Sequence, residues 1–554
     1  MAKELTGELS VAGQISPAEM TDLAADGFRS IICNRPDGEG ADQPSFAEIA
    51  AAAAAAGLQA RYVPITAGQV SDADATAFAA ALTELPKPVL AYCRSGTRST
   101  ILWAMTEAGK RPADDIVNRA RLAGYDVTGV MQRVAKDGAA ATDKPVASHD
   151  IVIVGGGAAG TAVAASLLRR APDLDIAVID PAETHYYQPG WTMVGGGIFS
   201  AESTAKSMAS VLPGRVTWIK AAVASFSPET NSVLLEGCRA IRYNHLIVCP
   251  GIKLNWNGVE GLSETLGHNG VTSNYRYDLA PYTWELVRNL KSGKAIFTQP
   301  PMPIKCAGAP QKAMYLSADH WLRTGHLKDI DVSFYNAGGV LFGVPEYVPA
   351  LMNYVERYNA QLKFNHNLIA IDGPAQRAWF KKTGPDGATE TVETSFDMIH
   401  VCPPQLAPDF IRASPLADSA GWIDVDHATL RHKRFANIYG LGDAACTPNA
   451  KTAAAARKQA PVVAENILCD KGRLTIVRAY DGYGSCPLTV ERGKIVLAEF
   501  CYGGKVTPTF PRFVIDGMKP SRTAWLLKAR LLPPIYWRAM LKGREWLAKP
   551  KDFA

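Results

Sequence analysis

None of the ten cysteines stands in a C-x-x-C pair, and their spacings are irregular. That excludes the zinc clusters and the disulfide-stapled secreted folds that regular pairs announce, and no metal site is expected. No uninterrupted apolar run approaches the roughly 18 residues that a membrane-spanning helix needs. The opening MAKELTGELS lacks the apolar stretch of a secretory signal, so the expectation is a protein made and kept in the cytoplasm. Charged residues make up 20% and hydrophobic residues 47% of the 554-residue chain. That balance argues against disorder and leaves material for three or four domains with their own cores.

What is present is unevenly placed. From residue 505 to 554, Lys and Arg exceed Asp and Glu by 8, although the whole chain carries only +5. Trp525, Leu526, Leu531, Leu532, Ile535, Tyr536, Trp537 and Trp546 are interleaved with these cations. Cationic, aromatic, amphipathic segments of this kind lie in the plane of an anionic membrane surface. A basic helix packed on its own domain is the plainer alternative. No nucleic-acid motif accompanies the charge, so no nucleic-acid partner is expected.

Four cysteines, Cys33, Cys238, Cys249 and Cys469, read as small buried hydrophobes. Cys93 does not. Val89-Leu90-Ala91-Tyr92 reads as a short buried strand, Ser99 opens an apolar helix, and Cys93-Arg94-Ser95-Gly96-Thr97-Arg98 turns between them. Backbone N–H groups, the helix N-terminus and Arg98 would stabilise a thiolate on Cys93. Tyrosine phosphatases place five residues between cysteine and arginine; here there are four. The CRxGxR pattern resembles the active loop of rhodaneses. With NRPDGEGADQPS at 34–45, the region resembles the small phosphatase-like sulfurtransferase modules fused to sulfur-metabolising proteins. Residues 1–140 are expected to form that module, with 141–148 as a linker.

After the linker comes IVIVGGGAAGTAVAASLLRR. An apolar strand, the turn Gly155, Gly157, Ala158, Ala159 and Gly160, a helix, and a second strand ending in Asp180 form a dinucleotide fingerprint. The glycines let pyrophosphate approach the helix N-terminus, and the acid holds ribose hydroxyls. Near the far end, Gly440-Leu441-Gly442-Asp443 follows a short strand and resembles the second FAD fingerprint of two-dinucleotide-domain flavoproteins. FAD is the expected cofactor, bound by 149–261 and 396–479. The domain between them, 262–395, has an apolar first strand at Ala295 to Thr298, yet the glycine turn that should follow is missing. PMPIKCAGAP stands there instead. Without a phosphate turn, electrons should come from a donor other than NAD(P)H, and Cys306 stands where that donor would approach.

HYYQPGWTMVGGG (185–197), PIKCAGAPQKAMYLSADHW (303–321), GWIDVDHATLRHKRFANIYGLGD (421–443) and YDGYGSCPLTVERGKIVLAEF (480–500) closely resemble the sulfide:quinone oxidoreductases, in the branch containing the mitochondrial enzyme. The resemblance covers about 149–545. It implies an α/β chain: a phosphatase-like domain, then a double-Rossmann flavoprotein, then a C-terminal redox-cysteine and amphipathic membrane-associating region at 480–554. It also implies a redox pair, Cys306 and Cys486, and FAD contacts at Asp180, Gln188, Asp443 and Lys451. Cys402 and Cys446 are not required by the family pattern and read as bystanders, as does Cys501.

The chemistry so implied begins with sulfide attacking a sulfur held between Cys306 and Cys486. One cysteine leaves as a thiolate and the other keeps the added sulfur. Lys305 and the helix N-terminus after Cys306 would lower its thiol pKa, and Cys486 is taken as the thiolate on the flavin side. Electrons would leave to a membrane quinone held between Phe510 and Tyr536. The sulfane sulfur would leave on glutathione, sulfite or cyanide, with Cys93 as a further station. The location that follows is peripheral, on the inner face of the cell membrane. Rival readings are a type II NADH:quinone oxidoreductase, a non-catalytic sulfide sensor, and a phosphatase at residues 1–140.

Overall fold

A computed structural model describes residues 2–40, 43–65, 70–108, 110–127, 130–131, 147–235, 239–448 and 451–553. The chain forms two compact units: Met1–Ser148 with Ala221–Tyr243, and His149–Lys220 with Asn244–Ala554. Cys238 and most of the expected linker, 141–146, lie outside the described residues. Ala147 and Ser148, expected as its end, already belong to the strand Ala147–Val154.

In the first unit four parallel strands run in the order Leu9–Ala12, Val89–Tyr92, Ser30–Cys33, Gln59–Tyr62, with Lys3–Thr6 added antiparallel at one edge. Val89–Tyr92 is central and buried along its whole length. Parallel strands covered on both faces read as such continuous apolar runs. The helix Thr97–Glu107 follows directly, so Cys93 and Arg98 sit at the carboxyl end of the middle strand.

The second unit holds two parallel sheets. One runs Thr217–Ile219, Ile176–Ile179, Ala147–Val154, Ala240–Val248, Ile438–Gly440. The other runs Val271–Thr272, Met398–His400, Gly293–Gln299, Ile330–Asn336, Gln361–Phe364. One expected boundary shifts. Met398–His400 belongs to the second sheet, pairing with Ala295, Ile296 and Phe297 on one side and with Val271 and Thr272 on the other; the middle domain therefore runs past 395. The segment 221–243, expected within the FAD domain, adds two antiparallel strands to that domain's sheet: Ser232–Leu235 pairs with the start of Ala240–Val248, and Val223–Ser227 pairs with Ser232–Leu235.

The strand Gly293–Gln299 feeds the helix Ala309–Thr324. Pro310 in its first turn is pre-set for helical φ and lacks only an N–H with no helical partner, and Gly325 at φ +78 ends it. Met314, Tyr315, Leu316 and Trp321 are buried, each worth roughly 1.5–3 kcal/mol. Met314, Tyr315 and Trp321 share a core cluster with the hairpin Gly484–Glu491 and Lys494–Phe500, in which Cys486 pairs with Ala498.

The C-terminal segment is less a surface ribbon than its composition suggests. Tyr536, Met540 and Leu541 are buried in the core of the first sheet's domain. Lys528, counted among surface cations, is 3% exposed and donates to the Pro189 carbonyl at 2.8 Å. Phe513, Leu526, Leu531 and Trp546 remain exposed, Phe513 at 90%.

Candidate active site

The thiol pair is built by two elements far apart in sequence. Cys306 occupies the loop between Gln299 and Ala309, where a nicotinamide-binding domain would carry its glycine turn. Its backbone sits at φ +55, a region that non-glycine residues rarely enter. Two hydrogen bonds hold it there: Cys306 N–H donates to the Lys451 carbonyl at 2.9 Å, and its own carbonyl accepts from Ala309 N–H at 2.7 Å. Cys486 arrives on the hairpin, and the two Sγ atoms lie 3.6 Å apart, both free thiols. Gly308 permits the approach, since a Cβ there would come 2.6 Å from Cys486 Sγ.

Lys312, on the first turn of the following helix, points back at the pair. Its Nζ is 3.1 Å from Cys306 Sγ and 3.8 Å from Cys486 Sγ. The Cys486 thiol donates toward Cys306 and the Lys312 ammonium adds to this, so Cys306 is held well below the ordinary thiol range although burial opposes it. Cys486 is pushed well above that range, because it shares its proton with Cys306 and is buried. Burial works against the Lys312 charge, but the two sulfurs outweigh it and raise its pKa. A second ammonium, Lys528, is pushed down to about 8 by burial and by Lys312. The Lys312 ammonium, closer to Cys306 than to Cys486, thus favours the ionised form of Cys306.

Lys305, the cation expected to activate Cys306, serves a different contact. Its Nζ donates to Gln188 Oε1, and its backbone N–H donates to Gln405 Oε1 at 2.7 Å. It also bridges backbone to backbone with Lys451. Lys451 Nζ donates to the carbonyls of Asp443 and Ala445 at 2.8 and 2.9 Å and lies 3.9 Å from the Trp422 ring centre. Burial pushes it down to about 8. Burial also raises the Asp443 carboxyl, against the pull of Lys305 and Lys451. Gln188, Lys305, Asp443 and Lys451 thus form one cluster beside Cys306.

The glycine turn belongs to the first sheet. Gly155 sits at φ +103, and a Cβ on it would come 2.5 Å from the Cys249 carbonyl. Gly160 lets the helix Ala158–Arg170 pack against Gly155, while nothing lies within 4 Å of a Cβ at Gly157. Asp180 accepts from Gly156 N–H at 2.6 Å and Ala182 N–H at 2.8 Å. Next to Gln188, the buried Trp191 Nε1 and Thr192 Oγ1 have no hydrogen-bond partner among the described residues. An open cradle at a helix N-terminus, a strand-end carboxylate, and unpaired polar atoms near the thiol loop fit FAD in both its pyrophosphate and its ring portions. Gly155, Gly157, Ala158, Ala159, Gly160, Asp180, Gln188, Asp443 and Lys451 would hold it.

Cys402 and Cys446 are near but not of the pair. Burial pushes the Cys402 thiol up to about 12, and it accepts from Gln405 Nε2 at 3.6 Å. Cys446 Sγ donates to the Val425 carbonyl at 3.4 Å and lies 3.7 Å from His427 Nε2.

In the first unit, Cys93 is buried and its Sγ accepts from Gly96 N–H at 3.1 Å. Arg98 is buried too, and its guanidinium forks onto Glu39 with two bonds of 2.7 Å. Sequence reasoning missed Lys312, Lys528 and Glu39. Lys312 had a usable signal, because side chains on a first helical turn lean toward the N-terminus that holds Cys306.

Known proteins resemble this chain in both of its parts. Residues 149–300 match the pyridine nucleotide-disulphide oxidoreductase family model. Residues 2–110 match the phosphatase-like domain of beta-lactamase hydrolase-like proteins. The mitochondrial sulfide:quinone oxidoreductase of Dictyostelium discoideum is 43% identical over 72% of this chain and 87% of its own length. A beta-lactamase hydrolase-like protein of Agrobacterium fabrum is 34% identical over 25% of this chain and 33% of its own. The crystal structure of the Aquifex aeolicus sulfide:quinone oxidoreductase superposes with a TM-score of 0.61 at 19% identity, covering 72% of this chain and 92% of that one.

Proposed function

Because this chain belongs to the sulfide:quinone oxidoreductase family, we propose that Cys306 and Cys486 oxidise sulfide to sulfane sulfur, with Cys306 as the flavin-side thiolate and Cys486 as the sulfur carrier. This reverses the order expected from sequence, and the Lys312 ammonium 3.1 Å from Cys306 Sγ is the observation that carries it.

In the oxidised enzyme the pair forms a disulfide, which needs the two sulfurs to close from 3.6 Å to about 2.05 Å. Hydrosulfide attacks Cys486 Sγ, the disulfide breaks, Cys306 leaves as a thiolate stabilised by Lys312, and Cys486 holds the persulfide. Attack in this direction is favoured because the sulfur with the lower thiol pKa is the better leaving group. An acceptor such as glutathione, sulfite, cyanide or a second sulfide then takes the outer sulfur, and Cys486 returns to a thiolate. Re-forming the disulfide releases two electrons, which FAD, when bound, would take up for delivery to a quinone.

Several features support a quinone exit at the membrane surface. Phe513, Leu526, Leu531 and Trp546 are exposed on the same basic segment whose Lys528 reaches in beside the thiol pair. No helix among the described residues is long and apolar enough to cross a membrane. From the exposed apolar side chains of that basic segment we read the attachment as peripheral, on the inner face of the cell membrane. The fused module is read as a sulfurtransferase that receives sulfane sulfur on Cys93 from the small acceptor.

The test is anaerobic. Sulfide added to the purified, flavin-loaded protein should bleach the flavin absorbance, and a short-chain quinone should restore it. NADH should leave the spectrum unchanged; bleaching by NADH as fast as by sulfide would favour the type II NADH:quinone oxidoreductase reading instead.

A further inference from the structure

NRPDGEGADQPS contributes more than a loop. Glu39 from this stretch lies between two buried arginines. Arg98 Nη1 donates to Glu39 Oε1 at 2.7 Å and to the Ile65 carbonyl at 2.6 Å, and Arg98 Nη2 donates to Glu39 Oε2 at 2.7 Å. Arg35 Nε donates to Glu39 Oε2 at 2.8 Å, and its Nη1 donates to Gln14 Oε1 at 2.8 Å. Both hydrogens of Arg98 Nη1 are thereby used, and one of Nη2. These contacts leave Nε–H and the other Nη2–H unused, and the Arg98 guanidinium interacts electrostatically with Cys93.

Charge decides what that loop can take. The two guanidiniums and one carboxylate sum to +1, which a Cys93 thiolate cancels; Arg94 adds a cation only at the exposed rim. A persulfide on Cys93 carries the same single charge as the thiolate it replaces. A phosphate ester or thiosulfate brings two further negative charges beside Glu39. In a partly desolvated cradle, repulsion over several ångströms is worth at least about tenfold in binding.

We infer that Glu39 is a specificity-determining residue that restricts the Cys93 loop to donors whose reacting persulfide group carries at most one negative charge and rejects the dianionic phosphate and thiosulfate groups. The inference rests on the sulfur-transfer reading of the module. In the step itself, Cys93 thiolate attacks the outer sulfur of R–S–S–H. The donor S–S bond breaks, a new one forms on Cys93, and R–S⁻ departs, the donor being reduced as Cys93 is oxidised to Cys93–S–S–H.

The experiment uses the full-length protein, with Cys93 persulfide read by alkylation and peptide mass spectrometry. Glutathione persulfide and thiosulfate serve as donors and inorganic phosphate as competitor. Wild type should prefer the persulfide by at least about tenfold and resist phosphate. Glu39→Gln should lose that preference by about tenfold and become sensitive to phosphate, while Glu39→Asp, which keeps the charge, should retain it. Equal use of both donors by wild type, or an unchanged ratio in Glu39→Gln, would overturn the inference. If Glu39→Gln loses all labelling through a collapsed loop, the Asp variant decides: a retained preference supports charge selection, a lost one refutes it. If wild-type Cys93 accepts sulfur from neither donor, yet phosphate shields it from alkylation only in Glu39→Gln, the sulfur-transfer reading falls and charge selection stands.

Discussion

Replacing either Cys306 or Cys486 with serine should slow sulfide-driven flavin bleaching by on the order of a thousandfold or more while leaving bound flavin in place. Neither residue stands in the glycine cradle or holds Asp180, so cofactor retention is the internal control. The reason for so large a loss is that the two thiols act as one unit. Without Cys486 nothing can hold the incoming sulfur, and without Cys306 there is no leaving thiolate to carry electrons onward. The double variant should be no slower than either single one, as expected for residues that share a single step. Rates that fall only a few-fold in Cys306→Ser, measured by anaerobic stopped flow, would place the chemistry elsewhere.

Lys312→Met should produce the second largest effect, and its pH dependence identifies the cause. In the wild type the donation from Cys486 and the nearby ammonium keep Cys306 ionised well below the usual thiol range. With the ammonium gone, burial pushes the Cys306 pKa up against the remaining donation from Cys486, and sulfide-driven flavin bleaching at neutral pH should slow by about tenfold. A thiolate is populated above its pKa, so the lost rate should return as pH is raised, and the acid limb of the profile should move to higher pH. Lys312→Arg should retain most of the wild-type behaviour. Lys528 loses its own proton around pH 8, which limits how far it can substitute. A uniform loss at every pH would mean that Lys312 is needed for packing alone.

The parts of this molecule legible in its sequence are those where a local pattern has one physical solution. A buried strand, a glycine turn, a helix and an acid at the next strand end specify the cradle at Gly155 to Gly160 and Asp180, and the structure has those residues in hydrogen-bonding contact. The missing phosphate turn after Gly293–Gln299 was readable in the same way. The thiol pair was not: 180 residues separate Cys306 from Cys486, and only the family resemblance joined them.

The activating cation went wrong for a local reason. Lys305 is adjacent to Cys306 in sequence, but the backbone turns at Cys306, at φ +55, and Lys305 reaches toward Gln188 while Lys312 returns from the helix. The C-terminal segment misled because composition does not reveal side-chain direction. Its aromatic residues divide between the core, as Tyr536 does against His185, and the surface, as Trp546 does. Glu39 was quoted within its motif and given no role, since its partners Arg35 and Arg98 become neighbours only when the strands Ser30–Cys33 and Val89–Tyr92 pair side by side.

The division of labour between the two thiols is tested most directly by stopping the anaerobic reaction of the oxidised enzyme with one equivalent of sulfide, alkylating, and locating the extra sulfur by peptide mass spectrometry. The extra sulfur should lie on the peptide containing Cys486, with Cys306 alkylated as a simple thiolate. Finding it on Cys306, or on neither peptide, would contradict the assignment.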